Sequence, residues 1–386
     1  MGMFIPPVPD ATTGWTTFKK KTQTIEQMRE EIRHFTNQGF YVLNYFNVTE
    51  FGNEIKYPAP APKATKDENL WKDPNDFLYA KLNDAILLNA KTGNPYFSWK
   101  GCVVMDAGDP AYQQFLTEQA QRHVDLLPEG AGICIDRMDW LQKYNARFDD
   151  GRCWVDGKPA RSLVVGWHEI MPKLDKIMHG NDKVIYCNPH YRRLDLVRHM
   201  DGIYDEFGQV GLSMNLCSFL ALRKPIMAWT IVTPELRQAP DAYFQRHLHM
   251  GAFLTAPLPG NDHTILPSAG MDQHYFDYGR LLKALRGKQW VLKPHVVKVR
   301  GNKAKANVFE VPEGYVIPVT FGGNATSAQV TVRHLNKVDG QATVIHPGET
   351  DWAPLPLEIE GDEIVLNVPL IRGCAMVRIQ GAGAEG

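Results

Sequence analysis

Gly132-Ile133-Cys134-Ile135-Asp136-Arg137-Met138-Asp139-Trp140 is the stretch that decides the fold. A short apolar run, β-branched at two positions, opened by glycine and closed by an acid, reads as a buried strand. A second run of the same design is Asp201-Gly202-Ile203-Tyr204-Asp205-Glu206-Phe207-Gly208. A carboxylate at the end of a buried strand is costly unless it is paired, hydrogen-bonded or used. Outward from these two runs, similar apolar stretches occur at Met3–Pro6, Phe40–Phe46, Cys102–Asp106, Val184–Cys187, Pro225–Trp229 and Ala252–Ala256. Helix-periodic segments lie between them: Thr24–Asn37, Ala111–Leu127, Leu163–Met178, Arg192–His199 and Pro240–Met250. Thr24 with Gln27 has the form of a capping box, and Asp109-Pro110 sets an N-cap before a proline. Eight strands alternating with helices predict an α/β fold, a (β/α)8 TIM barrel. A doubly wound open sheet is the alternative, but no glycine-rich phosphate loop follows any strand.

From about residue 289 the pattern changes to short alternating runs separated by Gly, Asn, Asp and Pro. They are Val296–Val299, Tyr315–Thr320, Ala328–Val332, Thr343–His346, Ile364–Val368 and Ala375–Ile379. This predicts a C-terminal antiparallel β-sandwich over 289–386, after a barrel over 1–288. Two stretches interrupt the barrel pattern. Residues 55–75 are rich in Pro, Ala and Lys and predict an irregular loop, followed by a β-hairpin through Ala85–Trp99. Residues 141–160 predict a second long loop. Both would follow strand C-termini, where barrel enzymes keep their sites.

Bulk composition narrows the function classes. The 386 residues are 44% hydrophobic and 22% charged, with a formal net charge of -1. That balance gives no electrostatic case for nucleic acid or an anionic membrane as partner. No apolar stretch approaches the roughly 20 residues of a membrane span. The N-terminus lacks a charged-then-apolar signal layout, so a cytoplasmic location is expected over secretion with the signal removed. The 6 cysteines are scattered without metal spacing, which fits a reducing compartment. Asn47-Val48-Thr49 and Asn324-Ala325-Thr326 match the glycosylation sequon, but matches this short arise by chance. No cofactor is expected, and composition leaves the oligomeric state open.

Alternation within Gly132–Asp136 puts Ile133 and Ile135 on one face and Cys134 and Asp136 on the other. If the isoleucines meet helices, Asp136 points to the barrel axis. The same reasoning puts Tyr204 and Glu206 inward, and a one-residue shift would select Asp205 instead. Two strand-end carboxyls at a barrel mouth match the chemistry of glycoside hydrolysis, one as nucleophile and one as general acid/base. Asp139 and Trp140 would bind the sugar, the latter through its ring face. Further polar groups at strand ends suit a neutral polyol: Tyr45, Asn47 and Glu50, then Asp106, then Asn188, His190 and Arg192, then Trp229 and Asp262. His247-Leu248-His249 invites a metal reading. On a helix, however, residues two apart point away from each other, so no metal site is expected.

With those residues in place, the chain resembles the superfamily of retaining glycoside hydrolases that includes α-galactosidases and α-glucosidases. The similarity follows the order Tyr45–Phe51, the hairpin through Trp99, Val103–Asp106 with Asp109–Tyr112, then Ile135-Asp136 and Tyr204–Glu206. The resemblance implies a barrel followed by a β-sandwich, with Asp136 as nucleophile ending strand four and Glu206 as acid/base ending strand six. An α-linked carbohydrate would be the substrate. In the α-galactosidase signature, Lys precedes an aromatic-Asp pair and Asn follows two places later; here Ile135 precedes Asp136 and Met138 holds the later position. Two other readings remain. One is a metal-dependent barrel hydrolase using His190, His247, His249 and Asp136. The other is a carbohydrate-binding barrel without catalysis.

Overall fold

A computed structural model describes residues 4–16, 21–138, 143–188, 193–205, 218, 221–228, 230, 234–256, 267–300, 303–335 and 338–381. The chain divides into two compact units, Met1–Asp201 and Gly202–Gly386.

The first unit is organised on three parallel strands, Leu43–Asn47, Gly132–Asp136 and Val184–Cys187, with Gly132–Asp136 in the middle. In register, Asn47 lies beside Asp136, and Tyr45 and Tyr186 flank Cys134. The strands pass from one to the next through helices Pro110–Leu126 and Leu163–His179, as parallel pairing requires. Asp109 caps the first of these by accepting from the Tyr112 amide at 3.0 Å, and Ser162 caps the second from Val164 at 3.1 Å. The apolar stripe of the Leu163–His179 helix (Trp167, Ile170, Met171, Leu174) is fully buried, and each such side chain stabilises the fold by roughly 1.5–3 kcal/mol. Helix Ile25–Thr36 has the expected capping box between Thr24 and Gln27. Gly132 is obligatory where the first two residues of neighbouring strands meet, because a β-carbon there would sit 1.9 Å from the Val184 carbonyl oxygen.

Three expectations are corrected in this unit. Val103–Val104, within the apolar run read as the third barrel strand, pairs antiparallel with Glu50–Phe51, and Leu43–Asn47 lies directly against Gly132–Asp136. A short apolar run signals burial but not its partner. The Cys102–Asp106 run belongs with the hairpin segment, through bridges Ile86–Met105 and Phe97–Val103. The stretch 141–160, expected as a long loop, instead contributes most of a three-stranded antiparallel sheet of Tyr144–Asn145, Lys158–Ser162 and Cys153–Val155. Of the first expected strand, residues 4–6 have no strand pairing.

The second unit carries three more parallel strands in order, Gly202–Asp205, Ile226–Ala228 and Phe253–Leu254. From Gln289 onward all strands are antiparallel. They form one sheet around Gly314–Thr320, Ala375–Gly381 and Val338–Ile345, and another of Val297–Arg300, Ser327–Arg333, Glu363–Pro369 and Leu357–Glu360. The two sheets enclose one core, with Ile317, Val319, Val344, Val377 and Ile379 from the first meeting Val330, Val332, Leu366 and Val368 from the second. The opposite face of the first sheet (Phe309, Val316, Ile345, Met376) packs on Phe244, Leu248, Tyr278 and Leu281 of helices Pro240–Met250 and Ala269–Lys283. Among the described residues no helix is long and apolar enough to cross a membrane.

Candidate active site

Burial alternates along the Gly132–Asp136 strand as its sequence predicts. Ile133 and Ile135 are fully buried, while Cys134 and Asp136 lie half-buried on the other face. Leu43–Asn47 and Val184–Cys187 repeat the pattern, so Tyr45, Cys134 and Tyr186 form one level and Asn47 and Asp136 pair at the next. Asn188 follows Cys187, the register partner of Ile135, and its amide donates to the Ile135 carbonyl at 2.8 Å.

The Asp136 carboxylate is gripped at both oxygens. Tyr45 Oη donates to Oδ2 at 2.6 Å, and Asn188 Nδ2 donates to Oδ1 at 2.9 Å. Donors from strands on either side fix the plane of the carboxylate, which neither bond alone would do. Behind Tyr45 stands a second acid. Asn47 Nδ2 lies 3.2 Å from both Tyr45 Oη and the fully buried Glu50 Oε2, so Glu50, Asn47, Tyr45, Asp136 and Asn188 make one continuous chain. Asn47 also accepts the Thr49 and Glu50 amides at 3.1 and 2.9 Å, an Asx turn that holds its side chain in place. The Asn47–Thr49 tripeptide therefore works as a turn.

Arg137 follows in the left-handed region at φ 60°, which is unusual for a residue with a β-carbon. Its carbonyl accepts the Thr49 hydroxyl and its Nε lies 3.7 Å from Glu50 Oε1. Both contacts hold the strained turn that carries the chain away from Asp136. Burial, the charge of Asp136 and their hydrogen bond push the Tyr45 phenol far above its ordinary value, so it remains a donor throughout the working pH range. Burial and then Asp136 push the Cys134 thiol up to about 12, which keeps it an uncharged neighbour.

Of the expected site residues, Tyr45, Asn47, Glu50, Asp136 and Asn188 come together in this network. Asp106 is engaged elsewhere. It is fully buried, its Oδ2 held by Arg161 Nε at 2.7 Å and Asn145 Nδ2 at 2.9 Å, its Oδ1 by the Gly108 amide at 2.9 Å. Asp205 is also fully buried and shares a face with Ile203, while Tyr204 is half-buried on the other. Asp139, Trp140, His190, Arg192, Glu206, Trp229 and Asp262 lie outside the described residues. Arg193 forms its ion pair with Asp195 at 2.6 Å. Tyr186, Thr49 and Arg137 join the site unforeseen. Tyr186 was accessible to the period-two rule applied backwards from Asn188, whereas the Arg137 turn had no signal in its residue type.

His247 and His249 have separate partners, the Tyr243 carbonyl for His247 and the Thr320 hydroxyl at 3.2 Å for His249 Nδ1. His247 is fully buried with Nδ1 2.8 Å from the Tyr243 carbonyl, and burial lowers both histidines to about 4. Among the described residues no group of three metal-ligating side chains converges.

No family model matches the chain, and no curated protein matches it. Solved structures do match in shape. A cycloisomaltooligosaccharide glucanotransferase of Paenibacillus sp., solved with cycloisomaltoheptaose, aligns over 97% of this chain and 78% of its own, with TM-score 0.64 and 8% identity. A noncanonic maltogenic alpha-amylase from Thermotoga neapolitana aligns over 92% of this chain and 81% of its own, with TM-score 0.55 and 9% identity. An alpha-L-fucosidase from Paenibacillus thiaminolyticus aligns over 92% and 89%, with TM-score 0.54 and 8% identity. At such identities the likeness is one of fold: an α/β chain of the (β/α)8 TIM-barrel class followed by a C-terminal antiparallel β-sandwich.

Proposed function

We propose that this protein is a glycoside hydrolase in which Asp136 is the nucleophile and Glu206 the general acid/base of a retaining mechanism on an α-linked carbohydrate. The observation that carries the reading is the two-sided grip on Asp136, at the C-terminal end of the middle parallel strand, by Tyr45 and Asn188. A carboxylate oriented through both oxygens on the half-open face of a strand is what attack at an anomeric carbon requires. The fold adds support, since the three aligned proteins all carry carbohydrate-enzyme names.

The division of labour follows from the chemistry. Asp136 attacks the anomeric carbon and the bond to the leaving oxygen breaks as Glu206 delivers its proton. Water, deprotonated by Glu206, then releases the sugar from Asp136. Retaining enzymes need their two carboxyls roughly 5–5.5 Å apart. Glu206 is chosen over Asp205 because Asp205 shares the face of fully buried Ile203. Tyr45, Asn47, Glu50 and Asn188 position the nucleophile or the sugar, and Asp139, Trp140, His190, Arg192, Trp229 and Asp262 are candidate sugar contacts. The barrel would span 1–288 and the sandwich 289–386, in keeping with the first antiparallel strand of that region at Gln289–Trp290.

A panel of nitrophenyl glycosides, run on wild type and Asp136→Asn, tests the reading. Turnover of at least one glycoside by wild type and its loss in the folded variant is the expected result; equal turnover by both removes Asp136 as nucleophile. Glu206→Gln should spare glycosyl-enzyme formation from activated aryl glycosides and regain turnover with azide, which needs no general base.

A further inference from the structure

The second unit contains a cavity of 240 Å³ between the end of helix Ala269–Lys283 and the β-sandwich. Its walls carry four cationic side chains, Arg280, Lys283, Arg286 and Arg378, against one carboxylate, Glu313. Among the described residues none of the four cations is in an ion pair. On a chain whose formal net charge is -1, such a cluster of uncompensated cations is not a consequence of bulk composition.

Two ordinary explanations fall short. Cations near a helix C-terminus can serve its exposed carbonyls and its dipole. Here the carbonyls of Arg280, Leu282 and Lys283 are already taken by the amides of Ala284, Leu285 and Arg286, at 3.2, 3.1 and 3.1 Å. The dipole amounts to about half a negative charge, too little to offset four full positive ones, and Arg378 belongs to the Ala375–Gly381 strand rather than to the helix. A role in packing alone explains Arg378 no better. Its guanidinium lies 4.2 Å from the Trp352 ring, which fixes its plane, yet its buried Nε has no hydrogen-bond partner. A buried charged donor left unpaired is a rarity that calls for a missing acceptor.

We propose that this cavity is an anion-binding site that takes a single oxyanion group. Phosphate, sulfate and carboxylate share the required chemistry: oxygen acceptors for a stacked, planar guanidinium and charge for the three cations around it. Thr350, also on the wall, donates its hydroxyl to Asp351 Oδ2 at 2.8 Å, so the guanidinium and the surrounding cations are the donors the site offers. The cavity is smaller than the roughly 300–1,000 Å³ of pockets that enclose whole drug-sized ligands, so it holds one charged group or one sugar acid. The proposal is independent of the hydrolase reading, since it concerns binding alone.

Calorimetric titration of the full chain with inorganic phosphate, inorganic sulfate and glucuronate tests it, with glucose as the neutral control. Lys283→Gln/Arg286→Gln removes charge at two exposed positions, and Arg378→Gln removes the stacked guanidinium. At least one oxyanion should bind wild type and glucose should not, with affinity falling about tenfold or more in the double variant and with rising salt. The double variant, altered only at exposed side chains, keeps the test valid should Arg378→Gln fail to fold. Absence of binding by all three oxyanions at 10 mM-scale concentrations, equal binding by wild type and the double variant, or equal binding of glucose would each overturn the proposal.

Discussion

Asp106 follows the Val103–Val104 strand and Asp136 closes Gly132–Asp136, so the two acids carry the same local signature, a carboxylate after a β-branched apolar run. Their surroundings differ in kind. Asp106 is fully buried and meets a guanidinium in close contact, Arg161 Nη2 at 2.7 Å as well as Nε. Burial raises its pKa and Arg161 opposes the shift. Asp136 is half-buried, and the two bonds described for it come from neutral donors, a phenol and an amide. A carboxylate neutralised by its own counter-ion holds a structure together. One gripped at both oxygens by a phenol and an amide on a half-open face is held in a set orientation. Position in a sequence run does not separate these cases, whereas the partner does.

Substitution can break that comparison. Asp136→Asn should lower glycoside turnover by about a thousandfold or more, roughly 4 kcal/mol of transition-state stabilisation, while the urea midpoint stays near wild type. Asp106→Asn should do the reverse. It takes away the closest counter-ion of the largely buried Arg161 and leaves Asp109 Oδ2 at 4.0 Å, so stability should fall by about 3 kcal/mol with turnover per folded molecule little changed. Arg161→Met added to Asp106→Asn should recover part of that loss, because the guanidinium deprived of its closest partner is then gone. Were Asp106→Asn stable but inactive, the distinction between the two acids would collapse.

Tyr45→Phe sharpens the contrast. It removes one hydrogen bond to a charged group, so kcat should drop about ten- to a hundredfold, with KM moving little if Tyr45 acts through Asp136. A rise in KM with kcat unchanged would instead make Tyr45 a sugar contact.

The smallest effect belongs to a third kind of acid, one that is neither core nor site. Asp175 lies 2.5 Å from His179 and from His199, and His179 also meets Asp201 at 2.8 Å. Burial pulls the His179 pKa down, but its hydrogen bonds to the Asp201 and Asp175 carboxylates more than reverse it, leaving it raised from its ordinary 6.5. For Asp175 burial pushes upward and the two histidines win, leaving it lowered from 3.8. A raised histidine stabilises fully below its unfolded pKa and loses that contribution as pH climbs through the folded value; the lowered aspartate contributes above 3.8. Both therefore act together between about pH 4 and 6.5. His179→Gln should cost about 1 kcal/mol or less, given its exposure, and the cost should be larger at pH 5.5 than at pH 8.5. Chemical denaturation at the two pH values reads it directly, and an equal or reversed difference would remove the ion pairs from the account.

Much of the scaffold was legible in the residues. Gly132–Asp136, Val184–Cys187 and helix Pro240–Met250 could be read because apolar period and capping are local properties. The antiparallel pairing of Val103–Val104 has no local signal, because β pairing is a non-local choice and the partner strand Glu50–Phe51 is too short to announce itself. Within the site, the face of Asp136 followed from alternation, but its contact with Tyr45 depends on the register between two strands, which no single run encodes. Asn145 and Arg161 meet Asp106 from the Tyr144–Asn145 and Lys158–Ser162 strands, whose pairing the sequence of the 141–160 stretch, expected as a long loop, does not announce. Glu206, the second proposed catalytic acid, lies outside the described residues, and its test is kinetic.

The close approach at Gly132 has a consequence for how the gene can change. A side chain there would collide with main chain, which has no rotamer to retreat into, so every substitution at 132 disturbs the sheet that carries Asp136. As the proposed nucleophile, Asp136 would be under a different form of selection, exercised through chemistry. A lineage that abandons the reaction can discard the acid and keep the sheet, whereas one that discards the glycine risks both. Descendants of this chain in which position 136 has drifted while 132 stands unchanged would be former enzymes retained for their shape.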